Sequence, residues 1–141
     1  MAHVTRLEVR AEDIDVNGHV RDSKYVDYAA HARWQAVIQA GLDPRALAAA
    51  AIGPIHLEVT VKYLKELVLG DEVEVRTRFE YPKPKIVRIL QTLTRISDGE
   101  PVAEVASTTG LLDLRRRRLL DDARQTWRRF LTDPAVIDSA P

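Results

Sequence analysis

Four long segments of alternating apolar and polar residues follow one another between Ile55 and Leu114. A period of two residues is typical of a strand with one buried face. The third segment is apolar on both faces in places, as a central strand would be. Turn signals stand at Gly70-Asp71 and Asp98-Gly99, so the run predicts an antiparallel sheet. The four segments are 55–64, 72–81, 85–96 and 101–114.

A different period governs the residues before these strands. From Ser23 to Ala40, small and aromatic residues recur at helical spacing, and Gly41 is a suitable stop. This pattern predicts a helix of about five turns, with Asp22 or Ser23 as its N-cap. Strands beside segregated helices indicate an α+β architecture. The remaining predicted elements are a strand at 4–12, a short helix at 43–51 and an amphipathic helix at 121–131.

Length and charge limit the class of protein. The chain has 141 residues, enough for one domain with a core but too few for two, so residues 1–141 are predicted to form a single domain. Lys plus Arg and Asp plus Glu both number 21, which gives a formal net charge of zero. A protein built to hold nucleic acid would show a basic excess. The lack of cysteine excludes a disulfide scaffold, a thiolate zinc site and a cysteine nucleophile.

The N-terminal residues and the hydropathy pattern give an expectation about location. The opening MAHVTRLEVRAED has no apolar core flanked by positive charge, so no signal peptide is expected. No apolar run approaches the roughly 20 residues that a membrane span needs. We therefore expect a soluble, cytoplasmic protein. The histidines are too scattered in sequence to predict a metal site; they are His3, His19, His31 and His56.

One segment carries a specific resemblance. EDIDVNGHVRDSKYVDYAAHARW, residues 12–34, resembles the Asp-x-Asp-x-x-Gly-His-Val…Tyr…Arg signature of hotdog-fold thioesterases of the 4-hydroxybenzoyl-CoA thioesterase type. Residues 59–79 are similar to the family's strand-turn-strand segment, and residues 100–114 are similar to its last long strand. The resemblance covers almost the whole chain. It implies an α+β hotdog fold, in which a curved antiparallel sheet of about five strands wraps one long central helix.

The resemblance also implies an activity, the hydrolysis of an acyl thioester to a free acid and a thiol. The second aspartate of the signature is Asp15, and the family's carboxylate there attacks the thioester carbonyl or activates the water that does so. Backbone N–H groups around Asp22 would polarise the thioester oxygen, because a helix N-terminus offers unpaired donors to a developing oxyanion. His19 is a secondary candidate that could orient the substrate or shape the loop.

The same segment permits structural interpretations. Asp15 could simply accept backbone hydrogen bonds in a turn, since Asp-x-x-Gly is a common turn composition. Asp13 is assigned a structural or solvated role. Many relatives carry Asn-Asn after the His-Val pair, whereas this chain has Arg21-Asp22-Ser23-Lys24. A carboxylate at Asp22 would oppose negative charge if it faced the substrate, but not if it pointed away as the helix cap.

Four residues are candidates for binding the substrate. Tyr25 matches a family position near the acyl pocket, although core packing is the usual role of a helix aromatic. Arg33 could line the site, but pairing with an acid in the core is the expected arrangement. Lys83 and Lys85 could hold the phosphates of coenzyme A or of a phosphopantetheine arm. The run Arg115–Arg118 could do the same, although most charge runs are solvated turns.

The expected partner is an acyl-CoA or an acyl-carrier-protein thioester, with no nucleic acid, membrane, metal or cofactor. A single hotdog leaves a sheet edge and one end of the acyl tunnel open, so a homodimer or homotetramer is expected. Two alternatives stay open: a non-catalytic acyl-thioester-binding protein, and a thioesterase that relies on Arg33 instead of the acid. A hydratase or dehydratase on the same fold resembles a different Asp/His arrangement, which this sequence lacks.

Overall fold

The computed structural model describes residues 2–138. Within them, five long strands and one short strand form a single antiparallel sheet. The strands are β1 (His3–Glu8), β2 (Ile52–Tyr63), β3 (Glu72–Lys83), β4 (Ile86–Arg95), β5 (Pro101–Asp113) and β6 (Arg118–Leu119). Their order is β1-β3-β4-β5-β2, with β6 paired to the end of β5. All four long segments predicted as strands are confirmed, and β4 lies at the centre, as its apolar faces indicated.

Three α-helices accompany the sheet: α1 (Asp22–Gln39), α2 (Pro44–Ala49) and α3 (Ala123–Phe130). Short 3-10 turns cover Ala11–Asp13 and Pro134–Asp138. The first of these turns ends the leading strand earlier than the sequence pattern predicted. The long helix, the short second helix and the closing helix are all confirmed.

The predicted N-cap of α1 is wrong. The cap position is Arg21, which makes no side-chain capping hydrogen bond, and the helix already begins at Asp22. The Asp22 carboxylate instead accepts a 2.8 Å hydrogen bond from the Ser23 N–H. The other end follows the prediction, because Gly41 adopts a φ of 105° just after the cap residue Ala40, a conformation that favours glycine.

Helix α1 lies against one face of the curled sheet, and small side chains let it approach closely. Ala29, Ala32 and Ala36 on its inner face are fully buried. The N-terminal half packs in a cluster with β-strand residues such as Val73, Val75 and Leu93. The C-terminal half packs in a second cluster with strand residues and α3, which include Phe79, Val87, Leu111 and Trp127. This wrapped arrangement confirms the α+β hotdog fold.

A buried amide ties the middle of α1 to the sheet. Gln91 Nε2 donates to the Ala29 carbonyl oxygen at 2.8 Å and to Thr77 Oγ1 at 3.0 Å. Buried polar groups are tolerated when they are hydrogen-bonded. This hydrogen bond links the middle of α1 to β4 and so helps to hold the helix in place over the sheet.

Strand β2 is the long outer edge of the sheet. Its register against β5 shifts between His56 and Glu58, so the uninterrupted alternation predicted for this segment is wrong. His56 lies opposite Thr109 and Val59 lies opposite Ser107, so each shares a face with its partner. The bulge therefore turns His56 towards the face that α1 covers.

Candidate active site

The loop between β1 and α1 is built around Asp15. Its Oδ1 accepts hydrogen bonds from the backbone N–H groups of Asn17 at 2.8 Å and His19 at 3.3 Å. The Asp15 N–H donates to the His19 carbonyl at 2.8 Å, and Gly18 closes the turn with a φ of 78°. No residue between 2 and 138 donates a hydrogen bond to Oδ2. The carboxylate is thus anchored through one oxygen and keeps the other available.

Asp13, two residues earlier, has the opposite environment. Its side chain is buried, with 2% of the residue exposed. It accepts hydrogen bonds from Tyr28 Oη at 2.5 Å and the Arg10 N–H at 3.0 Å, and it lies 3.3 Å from Lys24 Nζ. Burial alone would raise the pKa of Asp13, but these donors more than offset it and lower the pKa. The structural role expected for Asp13 is confirmed.

The start of α1 adjoins this loop. The Asp22 N–H has no hydrogen-bond acceptor in the part of the chain that the structure describes, while the Asp22 carboxylate is exposed and bonded to Ser23. The Asp22 carbonyl accepts from Tyr63 Oη at 3.0 Å, which ties the end of β2 to the start of the helix. The His19 side chain is exposed beside them.

Tyr25 is buried under this end of α1. Its Oη donates to the Lys65 carbonyl at 3.4 Å, and its ring meets the Tyr63 ring edge-on at 5.2 Å. Burial raises the pKa of Tyr25. These contacts are those of a core aromatic, and Tyr25 does not line the cavity described next.

An apolar cavity of about 210 Å³ lies at the other end of α1. Side chains of α1, α3 and four strands form its apolar wall, and a few polar groups reach it from α1, β2 and β5. The lining residues are Arg33, Trp34, Val37, Pro54, Ile55, His56, Phe79, Ile89, Thr109, Leu111 and Trp127. Concave, mainly apolar sites with few polar groups are typical of small-molecule binding.

Arg33 stands in this cavity wall without a counter-charge. It forms no ion pair with any carboxylate in residues 2–138, so the expected pairing with a core acid is wrong. Burial lowers the pKa of the Arg33 guanidinium. Burial, together with the positive charge of Arg33, also lowers the pKa of His56. The cavity thus carries positive potential.

The two candidate lysines lie at the turn between β3 and β4. Both are exposed, and Lys85 Nζ is 3.9 Å from an Asp121 carboxylate oxygen. The turn is at the sheet end where Phe79 and Ile89 line the cavity, away from Asp15. Arg115–Arg118 form an exposed turn and the start of β6, as the solvated interpretation predicted.

The structure therefore separates the candidate residues into two groups. Asp15 and His19 are bonded to each other in the loop that leads into α1, and Asp22 is the first residue of that helix. Arg33 lies 11 residues after Asp22 in the helix, which is roughly 16 Å along the axis at 1.5 Å per residue. Within one chain, the carboxylate and the cavity do not meet.

Among the cavity residues, only Arg33 was predicted from the sequence to belong to the site. His56 was considered only as a possible metal ligand, because its position depends on the bulge in β2. Trp127 was assigned to packing, and it does pack in the second core cluster, but it also closes the cavity. The amphipathic pattern of α3 signalled burial and could not signal a neighbouring empty volume.

Residues 2–138 contain neither a metal-binding cluster nor a membrane-spanning helix. No group of three or more His, Asp or Glu side chains is arranged to hold a metal ion. No helix in this range is long and apolar enough to cross a membrane.

Comparison with known proteins decides the family. Residues 9–137 match the model of the Thioesterase-like superfamily. The chain belongs to this superfamily. It is 23% identical over 116 residues to the long-chain acyl-CoA thioesterase FadM of Escherichia coli K12, a match that spans 82% of this chain and 87% of FadM. The predicted enzyme class, a thioesterase, is confirmed by the family and by relatives of that name.

Solved structures agree on the fold. Slr0204, a 1,4-dihydroxy-2-naphthoyl-CoA thioesterase from Synechocystis, superposes with a TM-score of 0.86 at 11% identity, covering 99% of this chain and 100% of that one. SAV2348 from Staphylococcus aureus, solved in complex with CoA, gives a TM-score of 0.84 at 22% identity, covering 100% and 87%. At these identities the superpositions show the shared hotdog fold.

Proposed function

We propose that this thioesterase hydrolyses acyl-CoA or acyl-carrier-protein thioesters, with Asp15 as the nucleophile or general base. The observation that carries the proposal is the Asp15 carboxylate, held through Oδ1 with Oδ2 available, next to the start of α1. A carboxylate beside unpaired backbone donors suits acyl transfer. His19 contributes through its backbone groups, which hold Asp15 in the turn.

The chemistry needs one carboxylate and one oxyanion donor. Asp15 attacks the thioester carbonyl carbon, or takes a proton from the water that attacks it, and the Asp22 N–H stabilises the oxygen that gains negative charge. The carbon–sulfur bond then breaks, and the thiolate leaves and gains a proton. Water supplies the oxygen of the new carboxylic acid, directly or by hydrolysing the acyl-Asp15 anhydride. No cofactor is consumed.

A second copy of the chain completes the site in this proposal. Strand β2 is 12 residues long and is paired on one side only. Its apolar side chains Leu57, Val59 and Tyr63 are exposed. A long apolar edge strand is a pairing surface in natural proteins. Antiparallel pairing of β2 with β2 of a second copy would satisfy the edge and obey two-fold symmetry.

This pairing would bring the two separated groups together. Tyr63, near one end of β2, is bonded to Asp22 at the start of α1, and Pro54–His56, near the other end, line the cavity. A two-fold axis near the middle of β2 places the end of one strand beside the beginning of the other. The catalytic loop of one copy therefore faces the cavity of its partner. A homodimer, or a homotetramer built from such dimers, is part of the proposal.

The identity of the thiol carrier, coenzyme A or a carrier protein, is proposed from the exposed lysines and from the names of the chain's relatives. FadM is named for acyl-CoA, whereas an Arabidopsis thaliana relative that is 24% identical over 137 residues is named for acyl-acyl carrier protein. Both carriers have phosphates, and the exposed Lys83 and Lys85 are suited to bind them. The cytoplasmic location expected from the sequence stays part of this proposal.

The test is thiol release from a panel of short, long and aromatic acyl-CoAs by the wild type and Asp15→Asn. The variant keeps the turn-forming oxygen but lacks the base, so a loss of about 10²-fold or more in kcat is expected. Glu12→Gln is the matched control, because Glu12 is an exposed acid in the same loop, and it should retain wild-type turnover.

Other outcomes select the alternatives. Turnover that survives Asp15→Asn would assign the chemistry to Arg33 and the helix N–H groups. Folded wild-type protein that binds acyl thioesters but hydrolyses neither CoA nor carrier-protein substrates would identify a non-catalytic binding protein.

A further inference from the structure

The cavity at the C-terminal end of α1 contains a charge that nothing in the described chain balances. Arg33 is half-buried there beside His56, and none of the lining residues is acidic in the part of the chain that the structure describes. The remaining wall is mainly apolar and includes Val37, Ile89 and Leu111.

This arrangement is costly in the empty protein. A guanidinium loses hydration when it is buried, and only an opposite charge or good hydrogen bonds offset that loss. The lowered pKa values of Arg33 and His56 reflect this cost. A permanent anion in the cavity would remove it. Arginine is suited to that role because its planar fork binds a carboxylate through two parallel hydrogen bonds.

We infer that the acyl group taken by this cavity carries a second, ionised carboxylate, which Arg33 binds. The substrate class is then the half-thioester of a short dicarboxylic acid. This inference rests on the proposed function, because it names the acyl group of the proposed reaction.

The size of the cavity limits the acyl chain. A cavity of about 150 Å³ can hold a benzene molecule, and the cavity here measures about 210 Å³. It therefore suits an acyl group of roughly four to six carbons whose methylene groups contact the apolar wall. The carboxylate would satisfy Arg33 at the same time.

A transient oxyanion explains the charge less well. In the proposed reaction the backbone N–H at the start of α1 already donates a hydrogen bond to the thioester oxygen and stabilises its negative charge. A thioester is neutral before attack, and the carboxylate of the second copy is needed at the thioester carbonyl, so a neutral acyl chain brings no anion of its own to Arg33. A substrate carboxylate is charged throughout and compensates Arg33 from the moment of binding.

The test compares chain-matched pairs of CoA thioesters: succinyl with butyryl, glutaryl with pentanoyl, and adipoyl with hexanoyl. Wild type should prefer the carboxylated member of at least one pair by tenfold or more in kcat/KM. Arg33→Met, which keeps an unbranched apolar stem but lacks the charged guanidinium, should abolish that preference, mainly through KM. Arg33→Lys should recover part of it.

The matched control is Arg88→Met. Arg88 is exposed on β4 next to Ile89, on the side of the sheet that faces away from the cavity. The Arg88→Met substitution removes the same charge from a residue that does not line the cavity, so the preference should be unchanged. Circular dichroism would verify that each variant is folded.

Two results would overturn the inference. One is a wild type that hydrolyses the neutral thioesters at least as well as their carboxylated partners, as expected if a carboxylate of a second copy neutralises Arg33. The other is an equal loss on both members of each pair in Arg33→Met, as expected of an oxyanion donor. If no thioester is hydrolysed, the proposed function fails. Calorimetry then compares the affinities of adipoyl-CoA and hexanoyl-CoA, first for wild type and then for Arg33→Met. Tighter binding of adipoyl-CoA by wild type alone would still show that Arg33 selects the carboxylate.

Discussion

The two ends of α1 differ in what each provides for catalysis. The N-terminal end has the Asp15 carboxylate and the Asp22 N–H, and the apolar cavity beside Arg33 does not extend to these groups. The C-terminal end has an apolar cavity with an unbalanced cation, Arg33, but no carboxylate in its described lining. Within one chain, the carboxylate and this cavity lie at opposite ends of the helix. The proposed pairing of two copies through the β2 edge would bring the carboxylate of one copy to the cavity of the other.

The largest expected effect comes from breaking the contact between copies. Val59→Asp places a charge on the exposed edge of β2, where the residue is 39% exposed. If β2 pairs with a second copy, the variant should become monomeric and lose thioesterase activity about 10²-fold, because the carboxylate and cavity no longer meet. Light scattering and thiol release measure the two effects.

The opposite edge strand offers a matched control for this change. Val4 on β1 is 41% exposed, so Val4→Asp introduces the same charge at similar exposure on an edge that the proposal leaves unpaired. It should change neither mass nor turnover. A Val59→Asp protein that remained oligomeric and active would contradict pairing through β2.

The next largest effect is a loss of stability, which should differ between the two aspartates Asp13 and Asp15. Asp13→Ala leaves the Tyr28 hydroxyl and Lys24 ammonium without their buried acceptor, so it should lower the free energy of unfolding by about 3 kcal/mol. Asp15→Ala should lower it by about 1 kcal/mol, because only exposed turn bonds are lost. Urea denaturation of both variants measures the difference, and equal losses would mean that Asp13 is not the structural member of the pair.

The smallest effect is the pH dependence of stability. The pKa of Asp13 is lowered in the folded protein from its ordinary value of 3.8. A lowered pKa contributes stability that is fully present above pH 3.8 and is lost as the pH falls through the folded-state pKa. The unfolding free energy of Asp13→Asn should therefore fall less steeply below pH 4 than that of wild type. Parallel slopes would show that Asp13 does not contribute to the acid dependence.

Local patterns were enough to predict most of the fold. Alternation located β2 to β5, and the helical stripe located α1, because both depend only on the spacing of apolar residues. The resemblance singled out Asp15, whose turn then proved to leave one oxygen available. These features are determined over a few neighbouring residues.

The cavity could not be predicted in the same way. It depends on the bulge that turns His56 towards α1 and on the packing of α3 against distant strands. Whether Arg33 is paired depends on whether any acid lies nearby in space, which residue spacing does not reveal. The N-cap prediction failed for a different, local reason: the helix already begins at Asp22, whose carboxylate bonds to its neighbour Ser23.

The central claim is that the carboxylate of one copy acts on an acyl group held by the other, and active-site complementation tests it most directly. Asp15→Asn removes the carboxylate, and Thr109→Phe fills the cavity that Thr109 lines. Each variant alone should be inactive. Unfolded together in equal amounts and refolded, half of the dimers should be mixed, with one of their two sites intact.

The refolded mixture should recover roughly a quarter of wild-type thiol release, since half of the dimers each have one working site of two. Both variants must first be shown to fold and to assemble as the wild type does. A mixture no more active than the sum of its two components would show that the carboxylate and the cavity act within one chain, and so that no shared site exists.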